Sequence, residues 1–286
     1  VEQLISNNTS LEESNNTHNA ELTKGSTADL QEEIANIFET NSPFFEENKR
    51  EEQKKEVNQQ VQTWVSLNTV TKFSDHWGIT ADAHIRENGF FESNNFYFLR
   101  GGVSYVPNAS VSVTAGYAHM WLAPTKEGWS TYADENRIYQ QAQLITKIGK
   151  VSVLQRLRNE QRWQEKMIND EPSGELRFTN RVRYLASFTI PIFSNKKLPS
   201  LVLSDELLIH FGKEVVYNTF DQNRLFIGIK QNINPKLSFD FGYMNVYQQK
   251  YSGYQYDMNH TIRLFFYLST SINKKAPSDA TYYGDE

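Results

Sequence analysis

The most constraining feature of this sequence is a series of eleven segments in which apolar and polar residues alternate, with turn residues between the segments. Alternation at every second residue is typical of a β-strand with one apolar face and one polar face. Most segments are longer than the about five or six residues usual in soluble sandwiches, and long enough to cross a bilayer at a tilt. They cover 59–73, 78–88, 96–107, 110–123, 137–149, 152–166, 177–193, 201–212, 223–234, 237–251 and 259–272.

The connections between these segments alternate in length. Short links near 74–77, 107–109, 149–150 and 234–236 separate longer ones at 89–95, 124–136, 167–176, 213–222 and 252–258, and 194–200 is intermediate. Short periplasmic turns and long external loops are typical of outer-membrane barrels, which in bacteria have even strand numbers. We therefore predict an all-β fold, a transmembrane antiparallel up-and-down β-barrel of about 12 strands (10–12), with the twelfth strand before residue 59 or in a loop. A helical membrane protein is excluded, because no apolar run approaches the roughly 20 residues that a helical span needs.

The two faces of the segments differ in the way a barrel requires. In 177–193, Phe178, Val182 and Phe188 share one face, and Arg181 and Arg183 share the other. The polar faces predict a charge network in the lumen made of Arg86, Arg156, Arg158, Glu160, Arg162, Arg181, Arg183, Glu206, Arg224 and Arg263. The favoured interpretation is a plug of salt-bridged side chains, since barrels of this size have mostly filled interiors. The alternative is a basic interior that receives either an anion or the acidic N-terminal segment as a plug.

Some polar residues fall on faces that should be apolar. Asp205 shares a face with Leu203 and Leu207, and the segment 152–166 carries Gln155 and Gln161 beside Leu157 and Trp163. A β-bulge or contact with another protein would explain such residues.

Residues 1–58 differ from the rest, with 13 Asp or Glu against 5 Lys or Arg, whereas the remainder is mildly basic. This composition predicts an acidic, mostly irregular extension, followed by the barrel at 59–273 and a C-terminal tail at 274–286. A short helix is predicted at 29–39. Its apolar residues lie at helical spacing and are candidates for docking a partner, namely Leu30, Ile34, Ile37 and Phe38.

Motifs for catalysis and metal binding are weak. The sequence has no cysteine, and no metal-ligand spacing or phosphate-binding loop, so we expect no metal, no cofactor and no catalytic residue. Asp134-Glu135 and Asp170-Glu171 are expected to be solvated loop acids, with weak calcium binding as the alternative. Ser204, Glu206 and His210 share a face, but their spacing along one strand does not bring a nucleophile to a base. A pI near 5.8 argues against nucleic-acid binding.

Several strand motifs resemble an uncharacterised outer-membrane β-barrel family of Bacteroidota, the domain of unknown function 2490. The resemblance extends from about Gln62 to Leu268, and its most distinctive parts are Asp205-Glu206, Phe211–Glu214 and Phe220–Phe226. It implies a secreted outer-membrane barrel and carries no activity with it. The chain departs from the family pattern in its long acidic head, and at Asn159, where an apolar residue is more usual.

From these observations we expect a non-enzymatic outer-membrane β-barrel, acting as an accessory or structural subunit of a membrane complex. Its partners would be outer-membrane lipid and other outer-membrane proteins, bound through the N-terminal extension or the outer barrel wall. A porin-like narrow channel for small anions and a lipid-acting barrel hydrolase are the alternatives. A signal peptide that precedes this numbering would direct the chain to the bacterial outer membrane.

Overall fold

A computed structural model describes residues 54–124, 126–195, 198–215 and 217–272. Eleven β-strands occupy this part of the chain, and each corresponds to one predicted segment. The strands are β1 (Glu56–Lys72), β2 (Trp77–Asn88), β3 (Ser93–Asn108), β4 (Val111–Leu122), β5 (Ala133–Ile148), β6 (Val151–Ile168), β7 (Glu171–Pro191), β8 (Ser200–Phe211), β9 (Phe220–Asn232), β10 (Leu237–Gln249) and β11 (Gln255–Ser271).

The strands form one closed barrel in which sequence neighbours pair antiparallel. The barrel closes between β1 and β11, which pair in parallel from Glu56 opposite Gln255 to Lys72 opposite Ser271. An odd number of strands makes this unavoidable, because the first and last strands of an odd-numbered meander run in the same direction. The number of strands lies inside the predicted range, and the twelfth strand that an even count would need does not occur in the described residues.

The two ends of the barrel differ. One end, here the short-turn end, carries the links 73–76, 109–110, 149–150, 192–199 and 233–236. The other, here the loop end, carries 89–92, 123–132, 169–170, 212–219 and 250–254. The chain enters β1 at the loop end and leaves β11 at the short-turn end, since both strands run from the former to the latter.

The prediction of a long loop at 167–176 is wrong. Strands β6 and β7 continue to a two-residue turn at Asn169 and Asp170, whose φ angles are 52° and 64°. Positive φ at both central residues is the geometry of a type I′ hairpin turn, and Asn and Asp tolerate it better than most residues. The long hairpin is held at the loop end, where the Asp170 carboxylate accepts N–H bonds from Ser130 (2.9 Å) and Thr131 (2.8 Å).

The hydrogen bonds to Asp170 lower the pKa of its carboxyl group. The N–H groups of Thr131 and Ser130 stabilise the charged carboxylate and hold the pKa of Asp170 below its ordinary value of 3.8. The turn of one hairpin therefore fixes the loop between β4 and β5 at neutral pH.

Paired glycines let the wall approach an aromatic ring inside the barrel. Gly102 and Gly116 lie directly opposite each other, and the buried ring of Tyr139 covers both of them. A Cβ at Gly116 would lie 2.2 Å from the Gly101 carbonyl oxygen and 2.7 Å from the Tyr139 ring. Only glycine fits there, and a Cβ at Gly102 would likewise lie 2.5 Å from the Tyr139 hydroxyl oxygen and 2.9 Å from the Ala115 carbonyl oxygen.

The outer surface is largely apolar. Side chains such as Ile79, Leu99, Val113, Leu207 and Ile227 point outwards and are about half exposed. Polar and charged side chains dominate the buried lumen, so the barrel has the inside-out arrangement of a transmembrane barrel. Among the residues that the structure describes, no helix is long and apolar enough to cross a membrane.

Candidate functional site

The ten charged residues predicted for the lumen all lie on inward faces of their strands. Nine are buried, and the side chain of the tenth, Arg162, is 11% exposed. The structure brings nine of the ten to the loop-end half or the middle of the lumen, and places Arg263 in a separate group towards the short-turn end.

Strand register explains how this lumen network is assembled. Glu160 lies opposite Arg181 across β6 and β7, and Glu206 lies opposite Arg224 across β8 and β9. Arg158 lies directly opposite Arg183, and two like charges in that position repel each other. The Glu160 carboxylate lies between these two arginines, 3.6 Å from Arg158 and 2.9 Å from Arg183.

Glu160 and Glu206 each contact more than one arginine. Glu206 accepts two hydrogen bonds of 2.8 Å from Arg183, another of 3.3 Å from Arg224, and one from Arg156. Glu160 accepts a 2.8 Å bond from Nε of Arg181. These charge-assisted, forked contacts are the strongest hydrogen bonds that side chains make.

The network also uses residues that the sequence analysis did not assign to the lumen. Glu135 accepts bonds from Arg137 (2.6 Å) and Arg162 (2.7 Å), and Asp221 lies 3.1 Å from Arg181. In the described residues, seven arginines thus share four carboxylates: Arg137, Arg156, Arg158, Arg162, Arg181, Arg183 and Arg224 with Glu135, Glu160, Glu206 and Asp221.

The expectation that Asp134-Glu135 and Asp170-Glu171 are solvated loop acids is wrong for Glu135, which is 1% exposed inside β5. Extending the alternation of β5 back by two residues would have found it, because Glu135 shares the parity of Arg137 and Tyr139. The segment was predicted to begin at 137, which hid this signal. Within the described residues, no three His, Cys, Asp or Glu side chains are grouped to hold a metal ion.

Apolar side chains fill the lumen beside the charged network. The inward residues Leu208, Met244 and Phe265 have no exposed surface. One cluster packs Phe265 with Trp64, Val202, Phe226, Met244, Val246 and Tyr267, and a second packs Phe98 with Ala118 and Met120. The ring of His84 lies between the clusters, 4.9 Å from Phe98 and 5.5 Å from Phe265. The described side chains therefore pack across the interior, as expected of a small barrel.

A second charged group lies towards the short-turn end. Arg263 donates a 3.0 Å bond to Asp240, which also accepts a 2.6 Å bond from the Tyr267 hydroxyl. The guanidinium of Arg263 is 4.2 Å from the Phe226 ring and 4.3 Å from the Phe265 ring. Charge, hydrogen bonding and cation–π contact thus place Arg263 within the packed interior.

A cavity of about 220 Å³ lies in the loop-end half of the lumen. Among the residues that the structure describes, its charged lining consists of six arginines and one glutamate, namely Arg86, Arg137, Arg162, Arg181, Arg183, Arg224 and Glu135. Trp64 and Phe96 form an aromatic wall, and the guanidinium of Arg86 lies between them at 3.4 and 4.6 Å from the two ring centres. We refer to this cavity as the arginine vestibule.

The three residues considered for a hydrolase do not form a catalytic triad. Ser204, Glu206 and His210 all face inwards from β8. Glu206 is fully engaged with arginines, and His210 Nδ1 lies 3.7 Å from Asp221 instead. The carboxylate that would orient a catalytic histidine is therefore committed to the lumen network.

Polar residues also occur in the middle of the outer wall, on β5 to β9. Gln140 and Gln161 exchange two amide hydrogen bonds, of 3.1 and 3.2 Å. On β8 and β9, Asp205 accepts a 2.7 Å bond from Asn223. We call this surface the polar wall and define it by Gln140, Asn159, Gln161, Asn180, Asp205 and Asn223.

Hydrogen bonds within the polar wall do not reach all of its polar atoms. The side-chain oxygens of Asn159 and Asn180 are shielded from solvent and have no hydrogen-bond partner among the described residues. Gln161 lies directly opposite Asn180, and Gln140 directly opposite Asn159, so the amides form two adjoining rows. The structure thus places Asn159, which is unusual for the resembled family, in this wall beside Gln140.

The candidate docking residues Leu30, Ile34, Ile37 and Phe38, with the helix predicted at 29–39, lie outside the described residues, as does most of the acidic extension. Strand β1 begins at Glu56, within the predicted extension, and β11 ends at Ser271.

Comparison with known proteins identifies relatives. A family model described as "Protein of unknown function (DUF2490)" matches residues 61–258, from β1 into β11. This chain belongs to the DUF2490 family. The match covers most of the barrel, and the description of the family gives no activity.

No curated protein matches this DUF2490 chain. Four chains of solved structures match it. One is the β domain of the Bordetella autotransporter BrkA, with a TM-score of 0.42 and 8% identity, over 64% of this chain and 81% of that one.

Proposed function

We propose that this chain is a non-enzymatic, closed β-barrel of the bacterial outer membrane. It acts there as a structural or accessory subunit whose polar wall packs against another membrane protein. The polar wall is the observation that carries this proposal, because it interrupts the apolar outer surface at the middle of β5 to β9.

The physical argument is the cost of polar groups in lipid. A buried amide oxygen without a hydrogen-bond partner costs on the order of 1–3 kcal/mol by protein mutational data, and more in pure hydrocarbon. Asn159 and Asn180 each carry such an oxygen, and Asp205 adds a carboxylate to the same wall. In lipid, the exposed side chains of the wall, such as Gln140 and Asp205, would face hydrocarbon, whereas a neighbouring protein offers them hydrogen-bond partners.

The packed lumen supports a subunit rather than a channel. Leu208, Met244 and Phe265 fill the interior, and the arginines around them are tied to carboxylates. An ion crossing the barrel would have to displace this packing. The narrow anion channel is therefore the weaker alternative, and the engaged Glu206 likewise weighs against the hydrolase.

Site-specific crosslinking in native outer membranes tests the proposal. A photoreactive residue at Gln161 or Asn180 should give one stoichiometric protein adduct, because both side chains lie in the polar wall. The same residue at Val103, an outward apolar position on β3, should give lipid adducts only.

Lipid adducts at all three positions would contradict the proposal. An adduct joining two copies of this chain would also contradict the accessory role, and would assign the wall to self-association instead.

A further inference from the structure

We propose that a groove on the outer wall of β1 to β4 binds the acyl chain of an amine-bearing membrane phospholipid, whose headgroup lies at the loop end. This inference rests on the membrane location in the proposed function, but not on the partner at the polar wall. The groove has a volume of about 770 Å³ and is lined by residues from all four strands. We call it the outer groove and define its floor by Ala81, Ala83 and Gly101.

Small side chains on β2 open the outer groove. Ala81 and Ala83 face outwards between Ile79 and Ile85, which lie on the same face of the strand and are about half exposed. The two alanines therefore form a depression in a wall whose other outward side chains are large.

Gly101 deepens this depression from β3. Among the described residues, a Cβ at Gly101 would meet one atom within 4 Å, the Thr80 carbonyl oxygen at 3.8 Å. Space is thus open above this glycine, between the half-exposed side chains of Leu99 and Val103 on the same face. Unlike Gly102 and its neighbour across the strand pair, Gly101 relieves no close contact, and its effect is to lower the floor of the groove.

The outer groove suits a hydrocarbon chain. Leu67, Leu99 and Tyr117 line it and are about half exposed, and the Thr69 hydroxyl donates a 2.7 Å bond to the Ala81 carbonyl oxygen within the wall. A volume of about 770 Å³ equals about 25 water molecules at ~30 Å³ each, which is room for a long acyl chain. A chain that fills the groove contacts protein on several sides, whereas a void there would lose those dispersion contacts.

The outer groove runs obliquely towards the loop end. Ala81 lies four residues from the short-turn end of β2 and directly opposite Gly101, which lies directly opposite Tyr117. On β4 the lining continues to His119, three residues before the loop end of that strand, and to Trp121. Tryptophan is enriched where a membrane meets water, so this end of the groove lies at headgroup level.

Polar side chains at this end match an ammonium headgroup. His119 Nδ1 lies 2.9 Å from Asn136 Oδ1, and His119 Nε2 lies 3.4 Å from the Asp134 carboxylate, whose side chain is 51% exposed. The Glu165 carboxylate accepts the Asp134 N–H at 3.4 Å, so two carboxylates lie together at the rim. A primary ammonium group donates charge-assisted hydrogen bonds to such acceptors, whereas an anionic headgroup is repelled by them.

Photocrosslinking of lipid to the full chain tests the inference. The chain is reconstituted into vesicles of equal parts phosphatidylethanolamine and phosphatidylglycerol, with a trace of one lipid carrying a photoreactive acyl chain. We expect adducts of the ethanolamine lipid to concentrate at Ala83 and Leu99, and to be fewer at Ile227 on β9. Leu99 and Ile227 are both 52% exposed, so exposure alone predicts equal labelling.

Two leucine variants separate the groove from the rest of the wall. Gly101→Leu fills the groove from its floor and should lower labelling at Ala83 and Leu99 to the level at Ile227. Val103→Leu is the matched control, because Val103 faces outwards two residues further along β3 but does not line the groove. Leucine is as apolar as lipid tails, so both variants should insert, which circular dichroism verifies.

Asp134→Asn tests the headgroup. It should lower the preference for the ethanolamine lipid over the glycerol lipid in the groove by about two- to fivefold, the effect of one exposed ion pair. Equal labelling by the two lipids in the unmodified chain would overturn the amine assignment.

The remaining outcomes distinguish the groove from the proposed function. Even labelling around the wall, or labelling of Gly101→Leu like the unmodified chain, would overturn the groove and leave the polar wall unaffected, because these vesicles hold no partner protein. A chain without lipid adducts at any position would refute the membrane location, and the groove with it. A photoreactive residue at Leu99 that captures a protein in native outer membranes would assign the groove to that protein and overturn the lipid proposal.

Discussion

Replacing Glu206 by Gln tests whether the lumen network stabilises the barrel. The glutamine has the same shape but no charge, so it leaves Arg156, Arg183 and Arg224 without their shared carboxylate. Glu206 is 1% exposed, and removal of one partner of a buried ion pair costs about 3–5 kcal/mol. We therefore expect the folding equilibrium constant to fall by more than a hundredfold.

The assay is urea unfolding in lipid vesicles, followed by tryptophan fluorescence, since Trp64 is buried in the lumen. Glu214→Gln is the control, because Glu214 also contacts two cations but its side chain is 37% exposed. Its loss should cost at most about 1 kcal/mol. An unfolding free energy for Glu206→Gln within about 1 kcal/mol of the unmodified chain would refute the assigned role.

Three further predictions concern the glycines of β3 and β4, the loop end and the lumen. Gly116→Ala should lower the unfolding free energy by about 1–3 kcal/mol, because the new Cβ would lie 2.2 Å from the Gly101 carbonyl oxygen. Gly101→Ala should be tolerated in the same urea assay, because its Cβ would have only the Thr80 carbonyl oxygen nearby, at 3.8 Å. Asp170→Asn should increase hydrogen exchange at Ser130 and Thr131; unchanged exchange would contradict the assigned contact. Because the pKa of Asp170 is lowered, the unmodified chain should keep that protection at neutral pH and lose it only as pH falls through the lowered pKa. In planar bilayers, the unmodified chain should show no steady conductance, and regular open steps would contradict a packed lumen.

Much of this fold could be predicted from the sequence, because strand alternation and face chemistry are local. Each predicted segment is a strand, and the inward position of residues such as Arg181 and Arg183 follows from parity alone. The parallel closure of β1 on β11 could not be predicted this way, because it depends on the number of strands in the closed barrel.

The errors in the sequence analysis arose at strand ends. Asn169 and Asp170 resemble the start of a polar loop, but in a hairpin they form the whole turn. Glu135 was missed for a related reason, because β5 starts at Ala133, four residues before the predicted segment. Arg137 was left out of the predicted lumen although it is the first residue of that segment. The cavity depends on how arginines from several strands converge, and single-strand patterns carry no information on such distances.

The most direct test of the central claim is co-purification from native outer membranes in mild detergent. The unmodified chain is compared with a variant in which Gln140, Asn159, Gln161 and Asn180 are all leucine. Leucine suits a lipid-facing wall, so the variant should fold and insert as well as the unmodified chain. We predict a stoichiometric protein partner that co-purifies with the unmodified chain and is lost from the variant. A lone barrel from both chains, or the same partner from both, would contradict the account.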